Sequence, residues 1–321
     1  SHNANYGMTV LFRYGVNVKN LVFDTMIAAH LSGRKTINLN GLALELLGRE
    51  MDSITDLLGS GRNKVAMSEV SIDKAAKYAA EDVDVTLQLH EILLKEVTEN
   101  NGEDTLKSIE IPLISVLVRM QLNGIAIDSG ILEEMSRELG ERLSDIEVGM
   151  YSLIGHEFNL NSSQQLGDVL FNELRLPATK RTKKGFSTDA SSLQGLKHLF
   201  DHEGVDDVDP KAYQVLEMVL EYRQLSKIKS TYVDSLPSLV NSDTGRIHTR
   251  YNQAGSATGR VSSNDPNVQN IPVRTDMGRR VRKAFIAQNP QDWVLLAADY
   301  SQIELRILAH LSGDVGLLNA F

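Results

Sequence analysis

No cysteine occurs in the 321 residues, which excludes disulfide frameworks and cysteine-ligated zinc and makes an intracellular origin the default expectation. No apolar run approaches the ~20 residues that a bilayer-spanning helix needs, and no basic flank leads into a hydrophobic N-terminal region. Positive charge is also scarce. The 33 Lys and Arg face 42 Asp and Glu, and the net charge of -9, taken alone, argues against a polyanionic partner. An initiator Met is missing as well: the chain opens on SHNANYGMTV and enters patterned sequence at once, so it is expected to be cut from something longer. It has no internal repeat and no long low-complexity segment. It does have 42% hydrophobic residues, ample at this length for the packed cores of two or three domains.

The charge is unevenly distributed. Residues 245–321 carry nine Lys and Arg against six Asp and Glu, a local excess of +3, so the acidity lies upstream. Enzymes that act on polyanions often confine positive charge to a groove in this way.

Three regions separate along the chain. The first, to about Asn101, mixes apolar stretches such as NLVFDTMIAAHL with a strongly helical run, SIDKAAKYAAEDVDVTLQLHEILLKEV, and reads as α/β. The second is mostly helical. Leu132, Met135, Leu139, Leu143, Ile146, Met150 and Leu153 recur every three or four positions, a seam for a second long helix, with Asp128 as N-cap. The partner helix is expected from Lys211 to about Ser230, on Val215, Leu216, Val219, Leu220 and Leu225. Between the two, Lys180, Arg181, Lys183 and Lys184 crowd into one Gly-terminated loop. That is the pattern of a solvated turn, and also of a basic hairpin tip that grips a phosphate backbone.

The third region begins near Asn241. TGRIHTRYNQAGSATGRVSSNDPNVQNIPVRT has little core-forming periodicity and is expected to lie largely on the surface. WVLLAAD is then compatible with a buried strand, followed by a helix from about Ser301 with Ile303, Ile307, Leu308 and Leu311 on its buried face. Asp299 stands at that strand-to-helix junction. An acid there suits Mg²⁺ coordination, and it equally suits the first turn of a helix. Glu304 fits the Ser-x-x-Glu capping box opened by Ser301. In the polar loop, Arg260, Gln269, Asn270 and Arg274 are donors of the kind that test minor-groove acceptors without reading sequence, although such a loop can also be simply a loop.

Together these motifs say more than any one alone. TGRVSSNDPNVQNIPVR, then GRRVRKAFIA, then ADYSQIELRILAHLS, across residues 258–312, closely resemble the family A DNA polymerases of the bacterial polymerase I kind in both order and spacing. Upstream, EYRQLSKIKSTY resembles the base of their thumb, and YAAEDVDVTLQLH resembles the third motif of their 3′-5′ exonuclease domain, so the resemblance covers essentially the whole chain. It implies a mixed α/β chain in three parts: the C-terminal part of a ribonuclease H-like exonuclease domain (1–105), a helical thumb with connecting helices (106–240) and the start of a polymerase palm (241–321).

By position, the resemblance implies that Asp299 and the Tyr300 carbonyl bind Mg²⁺, that Tyr300, Ser301, Gln302 and Glu304 line the nucleotide, and that Glu304 fills the space of a ribose 2′-hydroxyl. Arg260, Gln269, Asn270 and Arg274 fall near the primer terminus and minor groove, and Lys227 and Lys229 in the DNA-contacting thumb. The implied activity is transfer of a nucleotidyl group from a deoxynucleoside triphosphate to a primer 3′-hydroxyl, with pyrophosphate leaving, on primer-template DNA, in replication or repair, in the cytoplasm of a bacterial or phage-infected cell. A non-catalytic primer-template binding fragment and a residual exonuclease are the alternatives.

The chain departs from the family pattern in two places. Tyr78 and Asp82 match the third exonuclease motif, but Gly7 stands where the second motif has an Asp, and the first acidic motif is not in the sequence, so proofreading is not expected of it. The family's nucleotide-binding helix, with its Lys and Tyr, and the His-Asp-Glu hairpin that holds the second palm carboxylate lie beyond Phe321. An incomplete sequence, a fragment and a naturally split polymerase with a second chain are the three expectations this leaves.

Overall fold

The computed structural model describes residues 1–61, 64–177, 179–182, 185–202, 204–205 and 208–321. The chain is a mixed helical and sheet fold. The first region, expected as α/β, is corrected: the described residues up to Gly124 contribute helices only, α1 (Ala4–Arg13), α2 (Thr25–Leu31), α3 (Ile72–Glu99) and α4 (Ile111–Asn123), joined by short helical turns. The long helical run of the sequence is α3. Its Val85, Leu89, Leu93 and Val97 recur at i,i+4 and are the residues it buries, with α2 packed alongside. Asp24 determines where α2 begins. Its carboxylate is fully buried and accepts from the Met26 and Ile27 N–H groups at 2.9 and 3.1 Å, and from the Ala4 N–H of α1 at 2.5 Å. One side chain thus satisfies orphan donors at the N-terminal ends of two helices.

Gly124 ends α4 at φ 58, ψ -171, where a Cβ would lie 2.5 Å from the Ile247 carbonyl oxygen and 2.8 Å from His248 Nδ1. Only glycine permits both that backbone and that approach. The chain then forms β1 (Ile125–Ile127) and α5 (Ser129–Ile154), which Asp128 caps through the Gly130 and Ile131 N–H groups. The seam residues lie as the spacing predicts, with Leu132, Met135, Leu139, Ile146 and Met150 buried and Leu143 and Leu153 partly so.

At the tip between the long helices, β2 (Arg181–Thr182) pairs with β3 (Gly185–Phe186). Of the four basic residues there, Lys180 and Arg181 are described and exposed, whereas Lys183 and Lys184 lie outside the described residues. The chain returns through α6 (Ala190–His202) and α7 (Ala212–Ile228), and α7 packs along α5. A bidentate Arg142 to Glu221 contact, 2.8 to 3.0 Å, clips these two helices together on the outside.

After α7 come β4 (Arg246–Ile247), β5 (Arg250–Asn252), β6 (Ser262–Asn264), α8 (Asp276–Lys283), β7 (Phe285–Ile286) and α9 (Ile303–Ser312). β1 is the centre of a three-stranded antiparallel sheet, flanked by β4 and β7, and β5 and β6 form a hairpin of their own. Buried apolar side chains gather in two clusters. One lies among α1 to α4 and takes in Ala254; the other runs through α5 to α7 and takes in Ile247, Ile271, Val281 and Ala284.

The segment expected to lie largely on the surface does so, but it also contains the β5–β6 hairpin and buries Thr249, Gln253, Ala254, Ser263 and Ile271. Polar side chains that bond to backbone do the burying, so no apolar period announces it. WVLLAAD, expected as a buried strand, is extended without a ladder partner among the described residues, and Val294 and Leu296 are 84% and 89% exposed. A strand exists by pairing, and none of the described strands pairs with this segment. The face expected to be buried on α9, Ile303, Ile307, Leu308 and Leu311, is exposed as well, and Ala309 is the one residue the helix buries.

Candidate nucleic-acid interface

The candidate residues fall on three supports: the turn after α7, the β5–β6 hairpin with its following loop, and the junction leading into α9. At the first, Lys227 is exposed and has no ion-pair partner among the described residues, whereas Lys229 is held. Lys229 Nζ donates to Ser136 Oγ at 2.7 Å and to both oxygens of Asp234 at 2.9 and 3.0 Å, tying the turn back to α5. Burial pushes the Asp234 carboxyl up, but the bonds from Lys229 and Ser136 and the charge of Lys229 bring it below the ordinary range. Two lysines two residues apart in sequence are thus in different states, one available to a phosphate and one neutralised by its own protein.

The hairpin is built from polar clamps. Gln269 closes it from the side, its Nε2 donating to the Val261 carbonyl at 2.6 Å and its Oε1 accepting the Ser263 N–H at 3.1 Å. Thr249 Oγ1 donates to the Asn264 and Pro266 carbonyls, and the Asn267 carboxamide oxygen accepts the N–H groups of Gln269 and Asn270. The turn after α7 holds the loop from the other side. The Tyr232 hydroxyl, whose pKa burial raises, donates to the Asn270 carbonyl at 2.6 Å.

Beyond it, Thr275 caps α8 through the Gly278 N–H, and a side chain at Gly278 would overlap Pro272. Arg280 makes a bidentate contact to Glu138 of α5, 2.6 and 3.1 Å, which raises the guanidinium pKa and lowers that of the carboxyl. Arg274, Arg282 and Lys283 are exposed and unpaired with any acid among the described residues. Sequence reading missed Tyr232, Thr249 and Arg280 as supports of this surface, since each acts on a partner 15 to 142 residues away.

At the third support, α9 begins at Ile303 with Gln302 before it at φ 52, and no side chain caps it. The capping box expected of Ser301 and Glu304 is therefore absent. With Gln302 in a left-handed conformation, the Glu304 carboxylate turns outward and accepts from Arg260 Nη2 at 2.6 Å. Asp299, Tyr300 and Ser301 are exposed on the approach to this helix. No group of three or more His, Asp or Glu side chains placed to hold a metal ion occurs among the described residues.

In the first region, Tyr78 and Asp82 lie one turn apart on α3 and are half-buried. Burial raises both pKa values, helped by the charges of Asp82 and Glu81 at Tyr78 and of Glu81 at Asp82. Around Gly7 a Cβ would meet nothing within 4 Å, so the position has room for a side chain.

Comparison with known proteins returns two family descriptions: DNA polymerase family A over residues 129–321, and 3′-5′ exonuclease over residues 1–98. The chain is 45% identical to DNA polymerase I of Chloroflexus aurantiacus and 42% identical to that of Pseudomonas aeruginosa, over 100% and 99% of its own length and 33% and 34% of theirs. It spans about a third of the length of these relatives. Among solved structures it is similar to the POL domain of Pol1 from M. smegmatis in complex with DNA primer-template and dNTP, with a TM-score of 0.81 and 37% identity, over 100% of this chain and 51% of that one. No helix among the described residues is long and apolar enough to cross a membrane.

Proposed function

Because this chain belongs to DNA polymerase family A, we propose that it is the primer-template-binding part of a template-directed DNA polymerase of replication and repair. In this reading Lys227 contacts the phosphate backbone, and Arg260, Gln269, Asn270 and Arg274 lie along the minor groove. Tyr300, Ser301, Gln302 and Glu304 face the incoming deoxynucleoside triphosphate, and Glu304 excludes a 2′-hydroxyl. The observation that carries the reading is the contact between Arg260 and Glu304, 44 residues apart, which brings the polar loop and the helix after Asp299 to one exposed surface. The relative solved with primer-template and dNTP supports it. Positioning of this kind accounts for much of the barrier reduction in phosphoryl chemistry.

The metal in this reading is Mg²⁺, with Asp299 and the Tyr300 carbonyl among its ligands. Magnesium requires near-octahedral oxygen ligation, and Asp299 is one exposed carboxylate with no acidic cluster around it among the described residues, so this chain does not hold the ion unaided. The remaining ligands are proposed to come from further polymerase sequence, on the same chain or on a second one. The same observation favours a second reading for the 321 residues by themselves: DNA binding without chemistry.

Two assays separate the readings. Fluorescence anisotropy with labelled primer-template should show binding that weakens as salt rises. Extension should require a family A C-terminal segment supplied in trans and should disappear with Asp299→Ala. Failure to prefer primer-template over single strands would overturn the DNA reading; extension that survives Asp299→Ala would overturn the role of that carboxylate.

A further inference from the structure

The helices of residues 1–123 and the β5–β6 hairpin meet across a cavity of about 540 Å³, and the floor of that cavity is Gln121, in the last turn of α4 and 6% exposed. Its side chain touches both sides. Nε2 donates to Asn5 Oδ1 at 2.7 Å and to Thr9 Oγ1 at 2.9 Å, both on α1, while Oε1 accepts the Tyr251 N–H of β5 at 2.8 Å. His248 Nδ1 lies 2.8 Å from the Gln121 carbonyl. Asn5 Nδ2 is buried without an acceptor among the described residues, so the bond from Gln121 is what sets the orientation of that amide.

A second glutamine works at the other end of the same helix. Gln253, also buried, donates through Nε2 to the carbonyl and to the carboxylate of Glu110, the residue before α4, at 3.0 and 2.8 Å. The 11 residues from Glu110 to Gln121 span about 17 Å of helix. Tyr251, in the middle of β5, and Gln253, the residue after its end, are about 7 Å apart along the chain. Two buried amides thus tie β5 and the residue after it to the two ends of α4. β6, Arg260 and the loop carrying Gln269 and Asn270 follow wherever β5 is held.

We propose that Gln121 is a positioning residue for primer-template binding, and that the helices of residues 1–123 serve here as a scaffold that sets the attitude of the DNA-facing hairpin. The DNA part of this rests on the function proposed above. The mechanical part does not, because it concerns the free chain.

The test therefore has two arms, both on the full 321-residue chain. In the first, hydrogen exchange without DNA compares wild type with Gln121→Met, which keeps the volume and removes three hydrogen bonds. Amides of residues 250–264 should exchange roughly tenfold faster, the change expected of a lost buried hydrogen bond, with Ser129–Ile154 unchanged. Equal exchange in the hairpin, or faster exchange everywhere, overturns the proposal. If Gln121→Met does not fold, Thr9→Val, which deletes one of the bonds from α1, carries the same expectation at smaller size.

In the second arm, primer-template affinity is measured for Gln121→Met, Arg260→Ala and the double variant. Positioning predicts that each single change weakens binding and that the double is little weaker than the worse single, because a displaced Arg260 has nothing left to lose. Gln121→Glu, which keeps the acceptor for Tyr251, should recover part of the loss. Additive losses with no recovery overturn the link to DNA. Wild type that binds no primer-template overturns the proposed function, whereas a hairpin loosened by Gln121→Met would still identify Gln121 as its positioning residue.

Discussion

Replacing Glu304 by alanine separates two roles that the sequence superimposes. A capping glutamate stabilises its helix by about 1 kcal/mol, within a range of roughly 0.5–2. In the structure no such cap is made: α9 starts at Ile303, and the carboxylate meets Arg260 instead. Both partners are about three-quarters exposed, 75% and 77%, so the pair is solvated and contributes roughly 0–1 kcal/mol, nearer the lower end and less as salt rises. Glu304→Ala should therefore shift a urea unfolding curve by at most a few tenths of a kcal/mol, a shift that vanishes in high salt and in an Arg260→Ala background. In a polymerase completed with the C-terminal segment, the same substitution should raise ribonucleotide relative to deoxyribonucleotide incorporation. A salt-independent loss of about 1 kcal/mol that persists without Arg260, with sugar discrimination unchanged, would show that Glu304 caps the helix and would refute the reasoning.

Three further outcomes are expected. Lys227→Ala should weaken primer-template binding and reduce its salt dependence by about one ion, whereas Lys229→Ala, which empties the pair with Asp234 and Ser136, should chiefly lower the melting temperature; equal effects on the salt slope would contradict the distinction. Asp24→Ala removes a buried acceptor from three backbone N–H groups, and at about 1 kcal/mol or more for each it should cost on the order of 3 kcal/mol in a denaturant titration. The Tyr151 hydroxyl donates to Glu147 and to the Phe158 carbonyl, and burial first, then that carboxylate, pushes its pKa up to about 12. Its folded value lies above the ordinary 10, so the stabilisation is complete below pH 10 and lost as pH rises through about 12. Several tyrosines are raised, Tyr78 and Tyr232 among them, so ultraviolet titration should show late ionisation with Tyr151 in its last part, and a Tyr151→Phe variant whose late amplitude is undiminished would refute the assignment.

The sequence by itself determined the local elements and the family. The i,i+4 stripe of α3, the seam of α5 with Asp128 at its start, and the run of α7 are periodicities of single helices, and short-range geometry imposes them wherever the chain goes. The ordered polymerase motifs across residues 258–312 likewise needed no coordinates. Only the tertiary structure decided which side chains are free to act. Lys227 and Lys229 look alike in sequence, and what distinguishes them is Asp234 together with Ser136 on another helix. Glu304 fits a capping box by spacing, but the left-handed turn at Gln302 and the reach of Arg260 direct it elsewhere. WVLLAAD has the composition of a strand, yet pairing is a property of two segments, and none of the described strands pairs with it. The hairpin lay hidden because Gln121, Gln253, Thr249 and Gln269 bury it through hydrogen bonds rather than apolar period. A hydrogen bond to a distant backbone leaves no repeat in the sequence, because its partner is fixed by the path of the chain in space.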